Sequence, residues 1–145
     1  MRHLTSKGHP TVRRLFRQRD TQLRVRFKTP IHFSEDDSLE DIVAVFKSQW
    51  SHCEVIITLG KAGVMMLRKN EDVEVKAFSV EAVDTTAAGD TFIGYFLSAY
   101  SNHTDAKQAL RRGCAASAIA VTREGAAQSI PTQKEVDRFL AKHAN

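Results

Sequence analysis

Hydrophobic positions after residue 34 predict one helix, three strands and three further helices. Ile42, Val45 and Phe46 recur at helical spacing behind Ser38, whose hydroxyl can cap a helix start. Residues 54–59 form an unbroken β-branched and apolar run, which is typical of a central parallel strand buried on both faces. Residues 64–67 and 73–77 flank a polar turn, so we expect them to pair as a hairpin.

The last 55 residues read as helices separated by clear breaks. The first helix carries apolar residues on one face: Phe92, Phe96, Leu97 and Tyr100. A second helix opens at Asp105 and runs to about Val121, and its small residues at 113–118 permit close helix or ligand approach. Residues 132–135 form a capping box for the last helix. This order of elements predicts part of an α/β sandwich.

The first thirty residues differ from the rest in charge. They hold nine Lys/Arg and one acid, a net charge of +8, whereas the remaining residues carry −4 and the whole chain +4. Residues 22–27 alternate enough for a short strand, at best an edge strand. Basic arms can bind nucleic acid, but no stacking aromatics or base-reading motif accompany this one, which argues against a nucleic-acid partner. It also resembles a mitochondrial transit peptide. We favour a third interpretation, that this stretch is not native sequence of the domain.

Composition excludes several classes of protein. No run of about 18 apolar residues could form a transmembrane helix, and the chain start has no apolar signal region. Cys53 and Cys114 are far apart in apolar contexts, so buried thiols are favoured over a disulfide or a metal site. The expected location is cytoplasmic, without membrane partners.

Candidate chemistry concentrates in residues 83–94, V-D-T-T-A-A-G-D-T-F-I-G. Two acids, Asp84 and Asp90, are separated by small residues directly before a predicted helix. A helix N-terminus presents free N–H groups that bind phosphate, and an acid among them can take a proton from an attacking hydroxyl. The simpler interpretations are that Asp90 caps the helix beside a turn at Gly89, and that Asp84 forms an Asx turn.

The string D-T-T-A-A-G-D-T-F resembles the second signature of the PfkB carbohydrate kinase family, in its ribokinase-like form. T-L-G-K-A-G at 58–63 resembles the family's ATP-side loop. A-I-A-V-T-R-E-G-A at 118–126 and S-I-P at 129–131 resemble the segment after its long helix. The resemblance implies a ribokinase-like three-layer α/β/α sandwich. We expect residues 34–145 to be its C-terminal part, and residues 1–33 to be a basic, poorly defined segment outside it.

The resemblance implies phosphoryl transfer from ATP to a sugar hydroxyl, on D-ribose or a similar pentose. Asp90 would be the general base, and the backbone N–H groups of Ala88, Gly89 and Asp90 would form an anion hole. Gly89 and Asp90 would also contact the nucleotide. The other implied nucleotide contacts are Thr58, Leu59, Gly60, Lys61, Ala62, Gly63 and Cys114. Cys114 departs from the His or Asn that the family often has beside the adenine.

The resemblance also implies two cations. Potassium would be held by oxygen atoms of Asp84, Thr86, Ala120, Arg123, Gly125 and Ser129. Magnesium would accompany ATP, although the family's N-x-x-E motif is absent. A homodimer is a further arrangement suggested by the full-length family.

Family members are about twice this long, and their N-terminal half supplies most sugar-binding residues and a lid. The sequence therefore resembles a fragment, and its activity in isolation is open. Three functions are compatible with it: an active sugar kinase, an inactive nucleotide-binding remnant, and a basic nucleic-acid-binding adaptor.

Overall fold

A computed structural model describes the backbone of residues 11–19, 22–25, 38–49 and 52–144, and the side chains from residue 38 onward within those ranges. The chain divides into two compact units. The first comprises Met1–Gly60 and Val64–Glu74, and the second Lys61–Gly63 and Val75–Asn145.

A five-stranded sheet with the order β2-β1-β3-β4-β5 contains all the described strands. Their bounds are Thr11–Arg19, Gln22–Val25, Glu54–Thr58, Val64–Leu67 and Val73–Val75, numbered β1 to β5 along the chain. The strand predicted at 22–27 is β2, and it does lie at an edge. Strand β1 was not predicted, because closely spaced arginines interrupt its apolar positions. The expected pairing of residues 64–67 with 73–77 is confirmed, with a shorter second strand.

Strand β3 is central, but the prediction of a parallel strand is wrong. It pairs antiparallel with β1 on one side and with β4 on the other. Only Leu59 to Gly63 connect β3 to β4, and a parallel crossover needs a dozen or more residues. Burial on both faces is confirmed, since Val55, Ile56 and Ile57 are all buried. The apolar run of β3 indicates that both of its faces are buried. The short connection that follows is what requires β4 to run antiparallel to β3.

Helix α1, Leu39–Gln49, begins where the polar pattern predicts. The Ser38 hydroxyl accepts a hydrogen bond from the Asp41 N–H at 3.1 Å, and the Asp41 carboxylate accepts from the Ser38 N–H at 3.2 Å. This reciprocal arrangement satisfies N–H groups that the helix leaves free. The buried core of the first unit consists of Ile42, Phe46, Val55, Ile57 and Leu67.

Three helices dominate the second unit: α2 at Ala88–Ser101, α3 at Ala106–Val121 and α4 at Gln133–Lys142. Helix α2 packs closely on α3 at Gly113, where a Cβ atom would lie 2.8 Å from the Phe92 ring. Helices α3 and α4 share a core cluster formed by Ala115, Ala116, Ile119 and Val136. Gly113, one of the small residues predicted to permit close approach, is therefore a point of contact between α2 and α3.

The predicted starts of α3 and α4 are confirmed. The Asp105 carboxylate accepts from the N–H groups of Lys107 and Gln108, at 3.0 and 3.2 Å. Thr132 and Glu135 form the capping box of α4. Neither cysteine forms a disulfide; Cys114 is buried and Cys53 half-buried. Among the described helices, none combines the length and apolar character needed to cross a membrane.

Candidate active site

The loop before α2 is fastened to the loop after α3 through Asp84. One carboxylate oxygen of Asp84 accepts from the N–H and hydroxyl of Thr86, at 2.9 and 2.6 Å. The other accepts from the Gly125 N–H at 3.0 Å. The carbonyl of Val121 accepts from the N–H groups of Val83 and Asp84, at 2.7 and 3.1 Å. Residues 41 positions apart in sequence thus form one polar cluster.

These contacts combine a local turn with a long-range anchor. The bond from the Thr86 N–H to Asp84 has the i+2 spacing of an Asx turn, so the simpler interpretation of Asp84 describes half of its geometry. The spacing of residues in the sequence does not reveal the second contact, the hydrogen bond from the Gly125 N–H to Asp84. Gly125 has φ +85°, a left-handed conformation that favours glycine.

The environment of Asp84 keeps its side chain charged at neutral pH. The Thr86 hydroxyl lowers the pKa of this carboxyl most, followed by the N–H groups of Thr86 and Gly125. Each donor stabilises the ionised form. At neutral pH the loop therefore holds a negative charge just before the start of α2.

Ala88, Gly89 and Asp90 form the first turn of α2, one turn earlier than the pattern predicts. Ala87 occupies the N-cap position and makes no side-chain cap, so the interpretation of Asp90 as the capping residue is wrong. The Ala88 N–H donates to the Thr85 carbonyl at 3.2 Å. By helix geometry, the N–H groups of Gly89 and Asp90 have no partner within the helix. Asp90 is exposed in this turn, where the helix dipole favours an anion.

The glycine loop at 58–63 contains a short 3-10 turn, Gly60–Ala62, and both glycines of the loop have positive φ. Gly60 has φ +59° with open space where a Cβ would lie. Gly63 has φ +115°, and a Cβ there would lie 2.1 Å from the Val75 carbonyl oxygen. Thr58, Leu59 and Gly60 belong to the first unit, whereas Asp84 and Asp90 belong to the second. The contact of this loop with a nucleotide stays a prediction.

The remaining predicted ligands lie on or after α3. Cys114 is buried in α3, and burial raises the pKa of its thiol to about 12, so the thiol is neutral. The Ala120 carbonyl accepts from the Arg123 N–H at 3.1 Å. Ser129 is fully buried, and its hydroxyl donates to the Ala126 carbonyl at 2.8 Å, which leaves its oxygen lone pairs available.

Two side chains near this cluster were missed as site residues. The Arg123 guanidinium lies 2.5 Å from Glu135, although sequence reasoning assigned only the Arg123 carbonyl a role. Glu135 was recognised as a capping residue alone. Its contact with Arg123 joins two segments twelve positions apart, and only the folded chain brings them together.

Comparison with known proteins assigns the family. The sequence model of the pfkB family carbohydrate kinases matches residues 27–133, so the chain belongs to this family. It is 42% identical over 116 residues to ribokinase of Haemophilus influenzae, covering 80% of this chain and 37% of that protein. It is 50% identical over 84 residues to ribokinase of Schizosaccharomyces pombe, covering 57% of this chain and 26% of the relative.

Solved structures confirm a partial ribokinase-like α/β fold. Ribokinase from Thermotoga maritima matches with a TM-score of 0.61 and 39% identity, over 71% of this chain and 40% of that one. Arabidopsis thaliana ribokinase, solved with ribose and ATP, matches with a TM-score of 0.67 and 28% identity, over 72% of this chain and 35% of that one. A putative ribokinase II from E. coli, solved with ATP and Mg²⁺, matches with a TM-score of 0.66 and 32% identity, over 76% and 35%. The chain thus spans about a third of the length of these relatives.

Proposed function

We propose that this chain carries the phosphoryl-transfer end of an ATP-dependent sugar kinase, with Asp90 as general base. The observation that supports this most strongly is the first turn of α2. There an exposed carboxylate stands beside N–H groups that the helix leaves free. Ribokinase relatives, one of them solved with ribose and ATP, support a sugar hydroxyl as the acceptor, and D-ribose or a similar pentose as the sugar.

In the proposed reaction, Asp90 accepts the proton of the sugar hydroxyl as its oxygen attacks the γ-phosphorus of ATP. The bond from that phosphorus to the bridging oxygen breaks, and ADP leaves. The N–H groups of Gly89 and Asp90 stabilise negative charge on the transferring group. Ala88 is a weaker member of this anion hole than the sequence suggested, because its N–H donates to Thr85.

The nucleotide is proposed to lie along residues 58–63, with Cys114 beside the base. Close approach of backbone to a ligand is a common use of glycine, and the space where a Cβ of residue 60 would lie is open. Cys114 is neutral and buried, so its proposed contribution is an apolar contact. Magnesium would enter with ATP, because Mg²⁺ is generally held by substrate phosphates with one or two carboxylates.

The proposed potassium site fits the donor chemistry of the Asp84 cluster. Asp84 supplies one full negative charge, and Ser129 supplies a buried hydroxyl oxygen. The other proposed ligands are carbonyl oxygens of Thr86, Ala120, Arg123 and Gly125. Hard oxygen donors with a single charge suit a monovalent cation. Such a cation would neutralise Asp84 and favour an ordered loop before Asp90.

A second candidate function is a nucleotide-binding protein without sugar kinase activity. The observation that favours it is that the free N–H groups at the start of α2 suit a phosphate group whether or not a sugar is bound. Within this proposal, residues 58–63 and the start of α2 still bind ATP.

A coupled assay of ribose-dependent ADP formation separates the two functions. Asp90→Asn should lower the rate by about 10²- to 10⁴-fold, the usual contribution of a general base. Glu81→Gln, an exposed acid outside the helices, is the control and should leave the rate unchanged. Measurable phosphorylation at the wild-type rate in Asp90→Asn would contradict the assignment of the base.

Calorimetric titration of the same proteins with ATP, in potassium or choline chloride, covers the case of an inactive chain. Saturable ATP binding without ribose-dependent ADP formation supports the second function. Absence of both would contradict both proposals.

A further inference from the structure

A continuous series of polar contacts links the loop that anchors Asp84 to helix α4. Arg123, just after α3, places its guanidinium 2.5 Å from one carboxylate oxygen of Glu135. The other carboxylate oxygen of Glu135 accepts from the N–H and hydroxyl of Thr132, at 2.7 and 2.8 Å. Both oxygens of Glu135 are therefore engaged, one by the loop and one by the start of α4.

The start of α4 is in turn attached to the helix that carries Asp90. The Tyr95 hydroxyl on α2 donates to the Pro131 carbonyl at 2.5 Å, one residue before the N-cap of α4. Pro131 is buried and Glu135 is half-buried, so this end of α4 is held against the helical core. The start of α4 thus holds the Glu135 carboxylate in the position where it pairs with Arg123.

Gly125 lies two residues beyond Arg123, and its N–H is the long-range donor to Asp84. Its φ of +85° belongs to a tight loop whose path must be maintained for that N–H to reach the carboxylate. An ion pair at residue 123 limits the conformations open to the next two residues. The charge pair and the Asp84 anchor are therefore linked through a very short stretch of backbone.

We propose that the Arg123–Glu135 ion pair positions the cation loop, defined as residues 122–126, so that Gly125 fastens Asp84. The Arg123 side chain and Glu135 act as positioning residues and contact neither sugar nor nucleotide. The proposal rests on the proposed function only for the identity of the cation. The anchoring of Asp84 by the loop is a feature of the fold itself.

The chain offers a control ion pair that also ends on α4 but starts from α3 itself. The Arg112 guanidinium lies 2.7 Å from the Asp137 carboxylate and joins α3 to α4, and neither residue belongs to the cation loop. Glu135→Gln keeps a side chain that can complete a capping box, so it removes the charge pair with least damage to α4. Arg123→Lys keeps the positive charge and tests rescue.

The experiment measures hydrogen exchange of the Gly125 amide by NMR on the full chain, in choline chloride. Arg123→Gln and Glu135→Gln should each speed this exchange by about two- to five-fold, the factor expected from a partly exposed ion pair. Arg123→Lys should stay nearer the wild type. Arg112→Gln and Asp137→Asn should leave the Gly125 amide unchanged.

The second measurement is the potassium concentration that half-saturates the rise in thermal midpoint, at constant ionic strength with choline. Arg123→Gln and Glu135→Gln should each raise this half-saturating potassium concentration by about two- to five-fold. Arg112→Gln and Asp137→Asn should leave it unchanged. Because the proposed ligand is the Arg123 backbone carbonyl, Arg123→Gln leaves that atom in place.

Unchanged Gly125 exchange in both Gln variants would overturn the positioning role. Equal acceleration by Arg112→Gln would also overturn it, since any link between α3 and α4 would then suffice. A wild-type chain that potassium does not stabilise contradicts the proposed cation site instead, and the exchange measurement still decides the role of the ion pair.

Discussion

Thr91 sits one position after the proposed base, with a hydroxyl that is buried and lacks a partner. The residue is 3% exposed in α2, and none of the described residues accepts from or donates to its Oγ1. Its backbone N–H is satisfied by the Ala87 carbonyl at 2.9 Å. A buried polar group left unsatisfied costs about 1–3 kcal/mol. The replacement Thr91→Val removes this hydroxyl with little change of shape.

We therefore expect Thr91→Val to raise the free energy of unfolding by about 1–3 kcal/mol. Helix propensity is nearly equal for threonine and valine, so it does not change the sign. With a stabilisation of about 2 kcal/mol and a urea m-value of about 2 kcal/mol/M, the unfolding midpoint should rise by about 1 M. The assay is urea unfolding followed by circular dichroism, with the m-values compared between variants.

Thr122→Val is a control of opposite sign. The Thr122 hydroxyl donates to the Ile119 carbonyl at 2.7 Å, so its loss should lower stability by about 0.5–1.5 kcal/mol. A lower midpoint for Thr91→Val at an unchanged m-value would refute the reasoning. It would mean that the Thr91 hydroxyl is hydrogen-bonded in solution.

Three further predictions follow from the same structure. Gly63→Ala should destabilise the chain by about 1–3 kcal/mol more than Gly60→Ala in urea unfolding, since of these two positions only at Gly63 would a Cβ lie 2.1 Å from a backbone oxygen; equal costs would contradict this. The N–H of its capping partner, then the neighbouring guanidinium, lower the pKa of Glu135 from 4.5 to about 2. The ionised Glu135 carboxylate should therefore stabilise the fold above pH 4.5, and this stabilisation should be lost as pH falls toward 2. Urea unfolding midpoints measured across that pH range should change less with pH in Glu135→Gln than in the wild type. Native Cys114 should resist thiol reagents, because burial raises its pKa to about 12; rapid labelling in a Cys53→Ser chain would refute this.

Local sequence patterns predicted most helices and their starts correctly. Caps at Ser38, Asp105 and Thr132 depend on side chains within three residues of the N–H groups they satisfy, so short-range spacing is enough to find them. Strand β1 was missed, since closely spaced arginines conceal the alternation that marks a strand. The direction of β3 was wrong because burial on both faces does not distinguish parallel from antiparallel neighbours.

At the candidate site, too, local sequence predicted some features and only the tertiary structure decided others. The sequence by itself placed Asp84 and Asp90 beside a helix start, and the family resemblance gave them roles. Only the tertiary structure decided that Ala87 is the N-cap, that Gly125 donates to Asp84 and that Arg123 pairs with Glu135. Periodicity and capping involve neighbours a few positions apart, and these can be read from spacing. Contacts between residues 12 and 41 positions apart depend on how α2, α3 and α4 pack, which no local pattern specifies.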